Sequence, residues 1–136
     1  MDLIIIGLSI GLGLPFFLLY SRKKTWFKET YIYVLNALLC VIGLILAFAE
    51  QSQEFYLLAW CLMCPIVVFL FDRIFKKYSE KKNGRDFILW LRYSDEINWS
   101  VAAKNPHVMV LDKIISVTLL TVLIGLVSAG AVIFGK

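Results

Sequence analysis

Four long apolar runs, none of which contains Asp, Glu, Lys, Arg or His, constrain this chain more than any motif in it. They cover residues 3–20, 31–49, 55–71 and 114–134. A helix needs about 20 apolar residues to cross roughly 30 Å of hydrocarbon, and a helix satisfies the backbone hydrogen bonds that lipid cannot. The runs therefore predict an all-α, polytopic membrane protein with four transmembrane helices.

The composition favours the same class of protein. The 136 residues are 60% hydrophobic and 18% charged, whereas about a quarter of the residues of a soluble domain are charged. The first run follows Asp2 and precedes Arg22, Lys23 and Lys24, which is the reverse of the polarity of a secretory signal. We therefore expect this run to be retained as a helix, within a single domain that covers 1–136.

The positions of the basic residues predict how the chain is threaded. Thirteen of the fourteen Lys and Arg residues lie in 21–30 and 72–113. The turn at 50–54 and the two ends of the chain together carry one base and three acids. Because cytoplasmic loops carry the excess of Lys and Arg, we expect an inner (plasma) membrane protein with both termini outside, in the periplasm.

The longest polar stretch, 72–113, is expected to be a cytoplasmic helical insertion. Its first part continues the third helix to Asn83-Gly84, a pair that favours the end of a helix. A second, amphipathic helix is predicted over 86–103, because its apolar residues share one face of a helical wheel. This face either lies on the membrane or docks a cytoplasmic partner, and its candidate residues are Phe87, Trp90, Leu91 and Ile97.

Small and polar side chains form stripes on two of the predicted transmembrane helices. Helices in lipid associate through close packing and hydrogen bonds, so such stripes mark contacts. The alternative is the lining of a polar path through a homo-oligomer. The candidates are Asn36, Cys40 and Gly43 on the second helix, and Thr118, Thr121, Gly125 and Ser128 on the fourth. Asn36 is the strongest single clue, since an amide in hydrocarbon needs a partner. A second Asn36 across a symmetry axis would provide one.

Two cysteines in the third run, Cys61 and Cys64, form a C-x-x-C motif. Together with four helices, this motif resembles the membrane thiol oxidoreductases that pass electrons to quinones, and the resemblance implies a redox role for both residues. Those enzymes also use a second cysteine pair in an outer loop, whereas the turn at 50–54 contains no cysteine. The alternative is that these cysteines pack as small apolar residues, since apolar surroundings make a thiol inert.

The sequence does not indicate other chemistry. His107 is the single histidine and has no second ligand at helical spacing, so no metal site, haem or other cofactor is expected. There is no phosphate loop, nucleotide fingerprint or Ser-His-Asp arrangement, and no catalytic residue is expected. Topology and lipid headgroups explain the basic residues between 73 and 85 better than nucleic acid does.

The sequence therefore favours a non-enzymatic protein. We expect first a small subunit that oligomerises or anchors a larger membrane assembly and contacts cytoplasmic partners through 72–113. One alternative is a membrane-acting factor: a homo-oligomeric pore or sensor, for example in phage defence, or an immunity protein against a pore-forming toxin. Another is a thiol redox protein that uses Cys61 and Cys64. The expected partners are the lipid bilayer, further copies of the chain and other membrane or cytoplasmic subunits, but not nucleic acid.

Overall fold

The computed structural model describes residues 2–26, 28–49, 51–98 and 100–135. Within these ranges the chain forms four α-helices and no strand: α1 (Asp2–Ser21), α2 (Glu29–Ala49), α3 (Gln53–Asn83) and α4 (Val110–Phe134). Each of the four helices is long and apolar enough to cross a membrane. The prediction of an all-α protein with four membrane-length helices is therefore confirmed.

The third helix is much longer than the apolar run that predicts it. It has 31 residues, or about 46 Å at 1.5 Å per residue, and so exceeds roughly 30 Å of hydrocarbon. It ends at Asn83, where the sequence predicted a stop. Gly84 adopts a φ of 69°, and its N–H donates to the carbonyl of Glu80 at 3.0 Å. This left-handed glycine caps the last turn of α3.

The chain divides into two compact units. The first comprises Met1–Phe69 and Leu123–Lys136, and the second comprises Leu70–Val122. The long helices α3 and α4 contribute residues to both units. Each unit has its own set of contacts.

In the first unit, glycines bring α1 and α2 close to α3. A Cβ atom built on Gly11 of α1 would lie 3.1 Å from the Cβ of Cys61. One built on Gly43 of α2 would lie 2.9 Å from the carbonyl oxygen of Ala59. Small residues let helix backbones approach in this way, which is how helices associate where lipid already satisfies apolar surface. Half of the apolar part of α3 is buried (50%), against 17% for α2.

The fourth helix meets α3 in the same unit through one indole ring. The Nε1–H of Trp60 donates to the carbonyl of Leu126 at 2.8 Å. The Trp60 ring also lies directly against Gly130, where a Cβ atom would overlap it. Phe134, one turn further on, packs 6.1 Å from the same ring, centroid to centroid. A glycine in α4 thus provides the space that the largest side chain of α3 occupies.

In the second unit, residues 84–109 join α3 to α4, and we call them the connecting segment. The prediction of an amphipathic helix over 86–103 is corrected here, because the described residues of this range form extended backbone and turns. Phe87 and Leu89 are fully buried, whereas Ile88 and Trp90 between and after them are partly exposed. This alternation has the period of two that is typical of an extended chain, not the period of a helix.

Backbone hydrogen bonds explain why the connecting segment is not helical. The N–H groups of Ile88, Leu89 and Trp90 donate to side-chain oxygens from elsewhere in the chain rather than to carbonyls four residues earlier. Tyr93 then adopts a φ of 67°, a left-handed conformation that ends any regular element. The left-handed Tyr93 and the hydrogen bonds to distant side-chain oxygens therefore favour an extended chain, although the apolar residues are also spaced as on one face of a helix.

Candidate functional site

The connecting segment is held by a buried carboxylate near the start of α4. Asp112 is completely buried. Its oxygens accept hydrogen bonds from the guanidinium of Arg85 at 2.8 Å, from the N–H of Ile88 at 3.1 Å and from the N–H of Met109 at 2.8 Å. Met109 directly precedes α4, and its N–H donates back to the side chain of the third helical residue, as in a capping box. One side chain thus fixes both ends of the connecting segment.

Arg85 is the charged partner of this carboxylate. Its side chain is 32% exposed, while that of Asp112 is 0% exposed. The guanidinium also donates to the carbonyl of His107 at 3.1 Å and to that of Asp86 at 3.0 Å. A charged group is tolerated in a buried position when it is paired and fully hydrogen-bonded. The arrangement of donors around Asp112 meets that condition.

A hydroxyl one turn along α4 extends this attachment. Ser116 is fully buried, and its Oγ accepts the N–H of Trp90 at 2.8 Å. The same hydroxyl donates to the carbonyl of Asp112 at 2.7 Å. The extended part of the connecting segment therefore runs alongside the first turns of α4. Phe87 and Leu89 supply its buried apolar side chains.

The far part of the connecting segment folds back on the extended part. The carboxylate of Glu96 accepts the N–H of Leu89 at 3.1 Å, and Ser94 accepts the N–H of Glu96 at 3.2 Å. The Nε2 of His107 lies 3.1 Å from the carbonyl oxygen of Glu96. The single histidine of the chain thus contacts the backbone of its own loop, as a residue that holds a turn does.

The exposed side of this fold presents a cleft beside an unusual tyrosine. The cleft has a volume of about 300 Å³ and is lined by Tyr93, Ser94, Asp95 and Ile97. Tyr93 is 69% exposed, although its backbone is left-handed, a conformation that non-glycine residues adopt at a cost. The guanidinium of Arg92 lies 4.8 Å from the centre of its ring. Tyrosine and arginine are enriched among the residues that dominate binding energies at interfaces.

The structure places the four predicted docking residues differently from the helical-wheel expectation. Phe87 and Ile97 are buried inside the connecting segment, and Trp90 and Leu91 are only partly exposed. Phe87 and Ile97 therefore stabilise the fold of the segment instead of forming a docking face. The exposed face includes Arg92 and Tyr93, which are not among the predicted docking residues. The predicted docking face requires a helix over 86–103, and the described residues of this range do not form one.

The stripe on α2 faces inward within the first unit. Gly43 is buried against the backbone of α3, and Cys40 is partly buried. Asn36 is 1% exposed, and among the described residues neither its amide nitrogen nor its oxygen has a hydrogen-bond partner. The pairing of two Asn36 residues across a symmetry axis stays a prediction, and in the single chain the Asn36 side chain is buried within the first unit.

Gly43→Ala is expected to weaken the contact between α2 and α3. The added methyl group would meet the backbone of Ala59, so the two helices must separate, at a cost of about 1–3 kcal/mol for overpacking. The measurement is the free energy of unfolding in a dodecyl sulfate titration. Gly13→Ala is the matched control, since a Cβ atom there has no neighbour within 4 Å. Equal stability of the two variants would contradict the contact.

Asn36→Leu is expected to leave the free energy of unfolding unchanged or to raise it by about 1 kcal/mol. The substitution replaces a buried amide that has no partner among the described residues with an apolar side chain of the same branching and number of heavy atoms, and so removes a desolvation penalty. The same titration measures it. A loss of more than about 1 kcal/mol would indicate that the amide makes a stabilising hydrogen bond.

The stripe on α4 faces outward. Thr121, Gly125 and Ser128 are exposed, and Thr118 is partly exposed. The hydroxyls of Thr118 and Thr121 donate to carbonyls of their own helix, at 2.8 and 2.9 Å. A Cβ atom on Gly125 would have no neighbour within 4 Å. Within the first unit, the Gly125 and Ser128 positions of this stripe are therefore exposed rather than packed against the stripe on α2.

The two cysteines of the C-x-x-C motif pack against apolar neighbours. Cys61 and Cys64 are buried and free. The side chain of Cys61 lies against Gly11 of α1, and Cys64 lines a small apolar cavity with Trp60, Met63, Val67 and Leu126. Among the described residues, no three His, Cys, Asp or Glu side chains are grouped so that they would hold a metal ion.

Comparisons with protein-family models, with curated proteins and with solved structures give no match to this chain. The candidate site is therefore defined by its own geometry: a connecting segment attached to α4 by Asp112 and Ser116, with an exposed cleft at Tyr93. The residues that attach the connecting segment were not among the candidates predicted from the sequence. An acid at the third position of α4 is a common feature of helix starts and was the available signal.

Proposed function

We propose that this protein is a non-enzymatic subunit of a membrane assembly, and that the connecting segment docks a cytoplasmic partner. The observation that carries the proposal is a long connection without helix or strand in its described residues, held in one conformation by a buried carboxylate and a buried hydroxyl. Structureless connections of this length are uncommon in compact domains and usually have a function.

The charge distribution supports a cytoplasmic position for the connecting segment. The stretch 72–113 contains nine of the fourteen basic residues, and 21–30 contains four. By the positive-inside rule both stretches lie in the cytoplasm, and both termini lie outside an inner (plasma) membrane. The turn at 50–54 then offers little surface on the opposite side, so recognition through a soluble surface falls to the cytoplasmic side, where the connecting segment is the longest stretch between helices.

The use of the polar side chains supports a binding role over a catalytic one. The carboxylates of Asp112 and Glu96 accept backbone N–H groups of the connecting segment, and the His107 ring contacts a backbone carbonyl. These groups are employed in holding the fold. What the segment offers at its surface is the cleft with Tyr93 and Arg92, residue types suited to binding a protein partner.

The test is co-purification of the tagged full-length chain from its native membrane in mild detergent. Tyr93→Ala should reduce recovery of a specific partner at least tenfold, because truncating a central aromatic commonly costs more than about 1.4 kcal/mol. Lys104→Ala, at another exposed position of the same segment, is the matched control. Recovery of the same partners with Tyr93→Ala and with wild type would contradict docking at the cleft.

A second candidate function, self-association into a pore or sensor, is favoured by the outward stripe of α4. Its small residues leave space for another helix at Gly125, and small residues at exposed positions in lipid favour helix contacts. A mass measurement in gentle detergent tests it, with Gly125→Leu expected to dissociate an oligomer. A pore further predicts dye leakage on overexpression that Thr121→Leu abolishes. A monomeric mass for the wild type would exclude both a homo-oligomeric pore and a homo-oligomeric sensor.

A further inference from the structure

One lysine of the second unit is held against an aromatic ring at the edge of an apolar run. The Nζ of Lys113 lies 5.1 Å from the centre of the Trp90 ring. Lys113 directly precedes the run 114–134, so it stands where hydrocarbon gives way to headgroups. Tryptophan and lysine are the side chains that occupy this level of a bilayer.

The Trp90–Lys113 pair is fixed in place by the fold. The backbone N–H of Trp90 donates to the buried Ser116 at 2.8 Å, and Lys113 belongs to the first turns of α4. The indole N–H of Trp90 has no acceptor among the described residues. The pair therefore offers an ammonium group and a second hydrogen-bond donor from two rigid elements.

The charge of Lys113 is not neutralised by its neighbours. The adjacent carboxylate, Asp112, points inward and is paired with Arg85 at 2.8 Å. Among the described residues no carboxylate forms an ion pair with Lys113. A cation so close to the positive end of a helix is electrostatically disfavoured on its own, and an anion beside it would relieve that cost.

An exposed apolar track leads from this pair along α4. Val117 and Thr121 lie within about 80° of Lys113 on a helical wheel, from a 100° turn per residue, and both are exposed. The Thr121 hydroxyl is satisfied by the carbonyl of Val117, so this surface is effectively apolar. The track extends about 12 Å from Lys113, at 1.5 Å per residue, which approaches the depth of one leaflet.

We propose that the Trp90–Lys113 pair and this track bind an anionic glycerophospholipid. The ammonium of Lys113 and the indole N–H of Trp90 contact the phosphate and the anionic headgroup, and an acyl chain lies over Val117 and Thr121. Charge complementarity selects this occupant over a zwitterionic lipid, because the site supplies a cation without a matching acid. The site depends on the topology under Proposed function only for which leaflet supplies the lipid, and not on partner docking.

The experiment is native mass spectrometry of the full-length protein in mild detergent, titrated with phosphatidylglycerol or with phosphatidylcholine of the same acyl chains. Wild type should bind phosphatidylglycerol more tightly. Lys113→Gln should weaken that binding about fivefold, which corresponds to the contribution of one lysine near an anionic headgroup. Lys113→Arg should retain it, and Lys104→Gln, which removes an exposed charge elsewhere in the connecting segment, should leave it unchanged.

Three outcomes would overturn the proposal. Wild type showing equal affinity for the two lipids would remove the headgroup preference. Equal weakening by Lys113→Gln and Lys104→Gln would indicate diffuse attraction without a built site. Displacement of phosphatidylglycerol by excess inorganic phosphate would assign the pair to free anions, without the acyl track. Circular dichroism of each variant checks that the helices are intact, and both lysines are exposed, so the variants are expected to fold.

Discussion

Asp112→Ala is expected to lower the free energy of unfolding by about 3 kcal/mol and to open the connecting segment to protease. The substitution removes the acceptor of the N–H groups of Ile88 and Met109 and leaves Arg85 without its carboxylate. Breaking a buried ion pair costs about 3–5 kcal/mol, and the lower end applies because Arg85 is 32% exposed and so reaches water. A dodecyl sulfate titration and limited trypsin digestion measure the two effects.

The controls for Asp112→Ala separate the buried carboxylate from loss of charge in general. Glu80→Ala removes an exposed acid and should change stability by less than about 0.5 kcal/mol. Asp112→Asn keeps one acceptor oxygen, so its loss of stability should lie between those of Glu80→Ala and Asp112→Ala. Trypsin should cut Asp112→Ala after Arg92 or Lys104 faster than wild type, since both are exposed. A stability of Asp112→Ala equal to that of Glu80→Ala would contradict the role of Asp112.

The second large effect is expected for Gly130→Ala. A methyl group there would overlap the Trp60 ring, so the indole must move and lose its hydrogen bond to the carbonyl of Leu126. Overpacking costs about 1–3 kcal/mol and the lost bond about 1 kcal/mol, which gives a loss of about 3 kcal/mol. The shift of the Trp60 ring should also change the near-ultraviolet circular dichroism.

Gly125→Ala is the matched control for Gly130→Ala, because it lies on the same helix and an added Cβ would meet nothing within 4 Å. Both substitutions replace glycine with a better helix former, so the gain in helix propensity cancels in the comparison. Gly125→Ala should be at least as stable as wild type. Equal destabilisation by both substitutions would mean that α4 does not pack against Trp60 as described.

The four helices were predictable because lipid leaves the backbone few alternatives. A run without charges that is long enough to cross hydrocarbon has to satisfy its own N–H and C=O groups, and a helix does so within one segment. The end of α3 was also predictable, because Asn83-Gly84 provides the left-handed residue that a helix stop uses. The start of α4 was less predictable: the apolar run begins at 114, whereas the helix begins at Val110 and includes Asp112 and Lys113.

The connecting segment was not predictable in the same way. Its apolar residues fit one face of a helical wheel, but the uniformly apolar stretch Phe87 to Trp90 is equally compatible with an extended chain, in which Phe87 and Leu89 are buried. The choice depends on acceptors that are distant in the chain: Asp112 for Ile88 and Ser116 for Trp90. A single sequence contains these residues but does not show the contacts between them. The local pattern alone therefore predicts a helix.

The intramembrane stripes show the same division between pattern and contact. The stripe of small residues on α2 includes Gly43, which lies against α3. The equivalent stripe on α4 is exposed, and the glycine of α4 that does pack, Gly130 beneath Trp60, lay outside the predicted stripe. Composition marks where helices are able to approach, but the partner side chain decides which small residue is used.

The central claim is that four helices cross the membrane and leave the connecting segment in the cytoplasm. The most direct measurement is labelling in intact cells, with an impermeant maleimide, of single cysteines introduced into a variant in which Cys40, Cys61 and Cys64 are replaced with Ala. The positions are Gln51→Cys, in the short turn after α2, and Lys104→Cys, in the connecting segment, both of which are exposed. The predicted result is labelling of Gln51→Cys from outside, and labelling of Lys104→Cys only after the membrane is permeabilised. Labelling of Lys104→Cys in intact cells would contradict the account.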